Sequence, residues 1–496
     1  MQSLFLKGAV LLLLLALALN ACTAWTETTP PGGEGKGEGE GEGSQPSPIG
    51  MATATATLTM GPEPVGEPAP APTDSTDSTT PAFSPVPPVP DAETARRFSG
   101  TTINYYSGQI GVGSELDNLL MARFTEETGI LVNFVPKSDD TTEDYAVYEV
   151  LFAAQSPDID VLALDIIWPA SFADHLVNLR PALDAEAAQH FPGIIENNTI
   201  GEKLVAMPQF GDFGMLYYRT DLLGAYGFDG PPATWVELET MARTIQEGER
   251  AAGNANFVGW VFQGAAYEGG TCNALEWIAS HGGSIIEEGV VTLNSEATLQ
   301  AMERARGWVG TIAPETVVSF REEDARELFQ RGDAAFMRNW PYAYAMGNGA
   351  TSPIRGRFDV APLPHTGNHR SVGTVGGWQL AVSAYSPNPE AAVAFVRYLT
   401  SAEVQKWRAI EGGYVPTIRS VSEDPQVIAA LPFLERLQGV VRMARPSRET
   451  GTRYNEASAI LFQGVNRILR GASPPETLAA MSIELEALIH PGATAP

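Results

Sequence analysis

Asp165 is the residue whose neighbours alone place it where chemistry could occur. It closes the apolar run 159–164, which Pro157 bounds on the other side. Such a run reads as a buried strand of a parallel sheet. Ligands of parallel sheets bind beyond the carboxyl ends of the strands, and Asp165 stands at such an end. The same residue type also serves as a helix cap or an ion-pair partner. A second informative residue is Cys22, which ends Leu19-Asn20-Ala21-Cys22 after the apolar stretch 9–19, with Lys7 the only charge before it. That stretch has the length of a signal-peptide core and is too short to span a bilayer comfortably. Small residues followed by cysteine fit lipoprotein cleavage, so residues 1–22 are expected to be an export signal that leaves Cys22 lipidated. The other of the two cysteines, Cys272, then has no partner in the chain, and it reads as a small buried apolar residue. No CxxC, paired Cys/His, HExxH, GxSxG or Walker A pattern occurs, so neither a structural zinc site nor any cofactor is expected.

The elements that must position Asp165 follow a long preamble. Residues 23–98 hold the Gly/Glu repeat GGEGKGEGEGEGS, a Thr/Ala alternation and Pro-rich runs such as Pro85-Val86-Pro87-Pro88-Val89-Pro90. Gly-rich stretches are flexible, Pro-rich ones extended, and like charges repel. This segment is expected to be a tether that holds the remainder near a membrane surface. The formal net charge of −28 argues against nucleic acid or anionic lipid as a partner of the whole surface.

From residue 101 the pattern is regular. A strand is expected over 102–106, a helix over 115–128 stopped by Gly129, a strand over 130–135, a helix over 143–155 and the strand that Asp165 ends. This is the alternation of βαβ units. Further strands are expected over 204–207, 214–218, 257–262, 334–337, 358–362 and 375–383. Helices are expected over 235–248, capped near Thr234, over 389–399, and from Tyr454 onward. The class is α/β, and about 400 residues exceed one usual core, so two lobes are expected.

Several separated segments carry a family resemblance. The run AVAFVRYLTSAEVQKW (392–407), the turn Asn339-Trp340-Pro341-Tyr342 after an apolar strand, the stretch from Met207-Pro208 to Leu216-Tyr217-Tyr218-Arg219-Thr220-Asp221, the segment YEGGTCNALEW (267–277) and Gly376-Gly377-Trp378 occur in order. Together they resemble the extracellular solute-binding proteins of carbohydrate ABC importers, and within them the trehalose/maltose-binding lipoprotein branch. The resemblance implies a periplasmic-binding-protein-like fold, each lobe a mostly parallel sheet flanked by helices, with a sugar held in the cleft between lobes. It divides the chain into a first lobe of residues 99–209 plus 371–415 and a second of 210–370 plus 416–491. The implied ligand-binding residues are Glu115, Asp165, Phe210, Asp212, Trp340, Tyr342, Gly377, Trp378 and Arg445, with Arg448 a rival to Arg445. Glu115, Asp165 and Trp378 would belong to the first lobe, and Trp340, Tyr342 and Arg445 to the second.

Those residue types suit a sugar. Carboxylates accept hydrogen bonds from hydroxyls and arginine donates in a fixed fork. The C–H face of a pyranose packs on aromatic rings. The expected function is capture of an α-linked disaccharide by a monomer that delivers it to the transmembrane subunits of an ABC permease. Two alternatives stay open. One is a binder of the same fold for another oligosaccharide or a polyol. The other is a lipid-anchored glycoside hydrolase, which needs paired carboxylates in a sugar cleft. Tyr267 and Trp277, which would also suit the core of a lobe, are left out of the site.

Overall fold

The structure is a computed structural model and describes residues 83–108, 110–437 and 440–491. The expected export signal, Cys22 and the first part of the tether lie outside these residues. Two sheets carry the fold. The first contains β1 (Thr102–Ser107), β2 (Leu131–Pro136), β3 (Val161–Asp165), β4 (Met207–Phe213), the long β9 (Val372–Val382) and β10 (Val441–Met443). Strands β2, β1 and β3 are parallel, with helices α1 (Gly113–Thr128) and α2 (Thr141–Ala153) as their crossovers. Strand β9 runs antiparallel to both β3 and β4.

The second sheet has the order β8-β5-β7-β6, made of β5 (Met215–Arg219), β6 (Val258–Val261), β7 (Ala334–Asn339) and β8 (Phe358–Ala361). Around it lie α3 (Trp235–Ala251), α4 (Glu268–Ser280), α5 (Glu296–Trp308) and α6 (Glu322–Gln330). Only its β6–β7 pair is parallel; β5 is antiparallel to both β7 and β8. The expectation of two mostly parallel sheets is therefore corrected for the second one. The reason is the crossing point: Gly214 alone separates β4 of the first sheet from β5 of the second, so the chain enters the second sheet straight from a strand rather than through a helix. Gly214 is required there, because a Cβ would overlap the carboxylate of Glu276.

The inner strands of both sheets are buried on both faces. Along β3, Val161 and Ala163 enter one core while Leu162 and Leu164 enter another; along β5, Met215 and Tyr217 alternate with Leu216 and Tyr218 in the same way. Two-sided burial is why these strands read as continuous apolar runs. In α1, Leu116, Leu120, Met121 and Phe124 form the buried face, and Gly129 (φ 74°) ends the helix with its N–H on the Thr125 carbonyl at 2.9 Å. Thr234 and Glu237 form the reciprocal cap of α3. Helices α7 (Pro389–Leu399) and α8 (Ala402–Gly412) pack on the first sheet's side, while α9 (Tyr454–Leu469) and α10 (Pro474–Ile489) pack with α4 and α5.

Residues 83–98, expected to belong to the tether, pack against the fold. Val89 is buried and its N–H meets Glu127 Oε2 at 2.9 Å. Tyr398 donates to the Pro87 carbonyl at 2.8 Å, and Trp407 Nε1 to that of Ser84 at 3.1 Å. Proline holds this segment extended at little entropic cost, and Val89 supplies an apolar side chain to the surface of α1 and α7.

Candidate functional site

Three neighbouring strands deliver one wall of a cavity. Across the ladder, Trp378 of β9 faces Asp165 of β3 on one side and Phe210 of β4 on the other, and Asp212 faces Gly376. Gly377 sits between them at φ 124°, and a Cβ there would lie 2.6 Å from the Phe210 carbonyl. Only glycine tolerates that combination of dihedral and close approach. The opposite wall comes from the second sheet's side. Trp340 and Tyr342 follow the end of β7, Tyr267 and Glu268 open α4 and Glu322 opens α6, while Arg445 reaches in after β10 of the first sheet. The space left free between these walls is about 80 Å³.

Eight of the nine expected residues line it: Asp165, Phe210, Asp212, Trp340, Tyr342, Gly377, Trp378 and Arg445. Glu115 does not. It stands exposed in the first turn of α1, where a carboxylate favours the helix N-terminus. Arg448 is also exposed and lies 3.6 Å from Glu196, so Arg445 rather than Arg448 reaches the cavity.

Arg445 is the electrostatic hub. Its Nη1 is 3.0 Å from Asp165 Oδ2 and 3.0 Å from Glu268 Oε1, and its Nη2 also binds Asp165. One guanidinium thus ties a strand of the first sheet to a helix beside the second. Glu268 accepts further bonds from Tyr454 and from Ser458 Oγ at 2.6 Å. Burial pushes its carboxyl up, against the pull of Arg445. Glu322 accepts from Tyr267 at 2.6 Å and from Trp340 Nε1 at 3.2 Å, and Tyr342 donates to Glu323 at 2.7 Å. Burial holds the Tyr267 and Tyr342 hydroxyls protonated, so both act as donors.

Asp212 differs from the other carboxylates. Its Oδ1 is buried and has no hydrogen-bond partner among the described residues. Burial, then the charge of Asp165, pushes its carboxyl well above the ordinary range. An acceptor in that state costs free energy until a ligand or water meets it. Lys137 covers one face of Trp378, with Nζ 4.0 Å from the ring centroid and 2.7 Å from Asp144 Oδ2. Cys272 is buried at the cavity wall, and burial pushes its thiol up, so it stays protonated and unreactive there.

Tyr267, left out of the expected site, lines the cavity; Trp277 lies in the core against Trp308, with ring centroids 5.5 Å apart. Sequence reasoning also missed Glu268, Glu322, Lys137 and Tyr414. The distinctive Tyr267-Glu268-Gly269-Gly270 segment at the start of α4 was the available signal for the first of these. Glu322 lies in Arg321-Glu322-Glu323-Asp324, which reads as the solvated start of a helix.

A cavity between two α/β sheets, walled by aromatic rings and hydrogen-bonding carboxylates and tied across by one arginine, defines a ligand-capture protein. The chain belongs to the bacterial extracellular solute-binding protein family, which matches residues 107–406. It is thus a solute-binding component of an ABC transporter and not an enzyme. It is 44% identical over 386 residues to a probable ABC transporter-binding protein of Deinococcus radiodurans, covering 77% of this chain and 92% of that one. Its fold matches the maltose-bound MalE3 of T. maritima with a TM-score of 0.75 at 37% identity, over 78% of this chain and 100% of the other. The GacH receptor of Streptomyces glaucescens, solved with acarbose, matches with a TM-score of 0.66 at 25% identity, over 78% and 98% of the two chains. Among the described residues no helix is long and apolar enough to cross a membrane.

Proposed function

We propose that this chain is the capture component of an ABC sugar importer, closing two lobes over an α-linked disaccharide of the trehalose or maltose type and handing it to the permease. The lobes would be residues 99–209 plus 371–415 and 210–370 plus 416–491. Lipid at Cys22 would hold a monomer near the membrane through the tether, which keeps its local concentration high. The observation that carries the reading is the pairing of aromatic faces with hydrogen-bonding carboxylates around one cavity. Trp340, Trp378 and Phe210 offer surfaces for pyranose C–H faces. Asp212 Oδ1 offers an unmet acceptor, and Asp165, Glu268 and Arg445 offer charged groups from both sides. Each charge-assisted bond contributes about 1.5–3 kcal/mol. Contacts from both sheets are what ligand-driven closure needs, since only differential affinity shifts an open–closed balance. The maltose in the similar MalE3 adds support for an α-linked glucose disaccharide.

Calorimetry against trehalose, maltose, sucrose, maltotriose and glucose, followed by mass analysis of the recovered sugar, tests this. One-to-one binding of an intact α-disaccharide is expected. Absence of binding across the panel would remove the disaccharide assignment, and steady release of glucose would refute capture altogether.

A further inference from the structure

The charges that line the cavity do not balance. Its carboxylates are Asp139, Asp165, Asp212, Glu268 and Glu322, and its cations are Lys137 and Arg445. Both cations are already engaged. Arg445 is shared between Asp165 and Glu268, and Lys137 is bound to Asp144, which lies behind the wall. The lining therefore has no uncommitted positive charge among the described residues, but three of its carboxyl groups have no salt-bridge partner there: the exposed Asp139, Asp212 and Glu322. Asp212 has a buried, unmet oxygen, and Glu322 receives only neutral donors. These two flank one ring, which also carries the Arg338 guanidinium 3.9 Å from its centroid. Trp340 Nε1 is 3.2 Å from Glu322, and a Cβ on Gly376 would lie 3.3 Å from both Asp212 Cβ and the far edge of Trp340. The molecule itself shows an alkylammonium housed in this cavity: the Lys137 Nζ rests over Trp378 while meeting a carboxylate. Ammonium over an aromatic face beside a carboxylate is a favourable arrangement in a dry site.

We infer that the cavity selects sugars that carry a basic nitrogen, the ammonium seating between Asp212 and Glu322 beside Trp340, and that it rejects sugars carrying an acid group. The inference rests on the sugar-capture reading and names the charge class of ligand within it. It also carries a proton signature. The groups facing Asp212 are Asp165 on β3, Tyr217 on β5, Arg338 on β7, Glu322 on α6, Tyr414 after α8 and Arg445 after β10. Arg338 is paired with Glu276 and Arg445 is shared by Asp165 and Glu268, so burial and the charge of Asp165 dominate and push the Asp212 carboxyl up toward its protonated form. An arriving ammonium keeps its own proton, and the Asp212 O–H proton leaves to buffer as the carboxylate forms against the cation.

The test is calorimetry of the full chain at pH 7 with maltose and trehalose, their mono-aminodeoxy forms and their uronates, repeated in two buffers of different ionisation enthalpy. At least one aminodeoxy form should bind tenfold or more tighter than its neutral parent and release up to one proton per ligand. The uronates should not bind measurably. In Asp212→Asn the ratio of amino to neutral affinity should fall to about one, and the proton release, read on the unaltered chain, does not depend on that variant folding. Aminodeoxy forms that bind no tighter than neutral parents that do bind would overturn the inference and leave sugar capture standing. Failure of the neutral parents together with tight binding of an amino form would support the inference and overturn a neutral disaccharide as ligand. Failure of every sugar would overturn both.

Discussion

Arg338 and Arg445 are both buried arginines gripping carboxylates, and they differ in what is left over. Arg338 and Glu276 are 0% exposed; the guanidinium meets both carboxylate oxygens at 2.9 and 2.6 Å, Gln263 takes another donor at 3.2 Å, and the Thr374 N–H completes Glu276 at 3.0 Å. Arg445 joins two carboxylates from different parts of the fold, keeps a buried Nε without a partner among the described residues, and faces the cavity. The first pair is sealed at the crossing between sheets, where Gly214 leaves it room. The second is a network with unfilled capacity beside an unmet Asp212. Saturated buried charge serves architecture, whereas unsaturated buried charge beside a cavity is what a ligand can complete.

The comparison breaks most visibly at the sealed pair. Glu276→Ala leaves Arg338 buried and unpaired and should cost about 3–5 kcal/mol of stability in denaturant unfolding. A loss comparable to that of a surface substitution would refute the distinction. Acid sharpens it next, through a group outside both networks. His190 is buried beside Thr417, its Nδ1 2.8 Å from Oγ1, and burial lowers its pKa from 6.5 to about 4. Its neutral form is the one that folding favours, so its contribution is fully present above about pH 6.5 and is lost as pH falls toward 4. The span corresponds to roughly 3 kcal/mol at 1.36 kcal/mol per unit. His190→Gln should flatten that limb of the stability profile.

At the unsaturated network the effect should move from stability to binding. Asp165→Asn is expected to weaken disaccharide binding by about 10- to 100-fold, the loss of one charge-assisted bond. Its stability cost should be smaller than that of Glu276→Ala, because Arg445 keeps Glu268. At the far end, Arg448→Ala and Glu115→Ala should each change affinity by less than about twofold and stability by less than ~0.5 kcal/mol, as exposed charges do.

How far the sequence was legible follows the same physics. Asp165 was readable because an apolar run buried on both faces must end where the sheet ends, and the Asn339-Trp340-Pro341-Tyr342 turn because its order is distinctive. The crossing strands were harder. Of the expected strand 204–207, Leu204 pairs instead with Thr199 in a short ladder and only Met207 belongs to β4, Met207–Phe213, whose Pro208, Gly211 and Asp212 lack strand character by composition and are held by pairing to β9. Glu115 and Glu322 show the limit most clearly. Both are glutamates in the first turn of a helix, a position that favours carboxylates for the helix alone. One faces solvent and the other meets Tyr267 and Trp340, and only the tertiary packing separates them. The packing of residues 83–98 was hidden for a related reason: Pro-rich composition reports an extended backbone, not whether Val89 finds a surface to bury against.

The central claim is that the unsaturated network around Arg445 and Asp212 is where the sugar is held. The structure of the full chain crystallised with maltose tests it most directly. The account predicts an intact disaccharide in the cavity, with a hydroxyl about 2.7–3.0 Å from Asp212 Oδ1, others on Asp165 or Glu268, and a pyranose face on Trp340 or Trp378. Maltose bound away from these residues, or in the cavity with Asp212 Oδ1 still unmet, would contradict it.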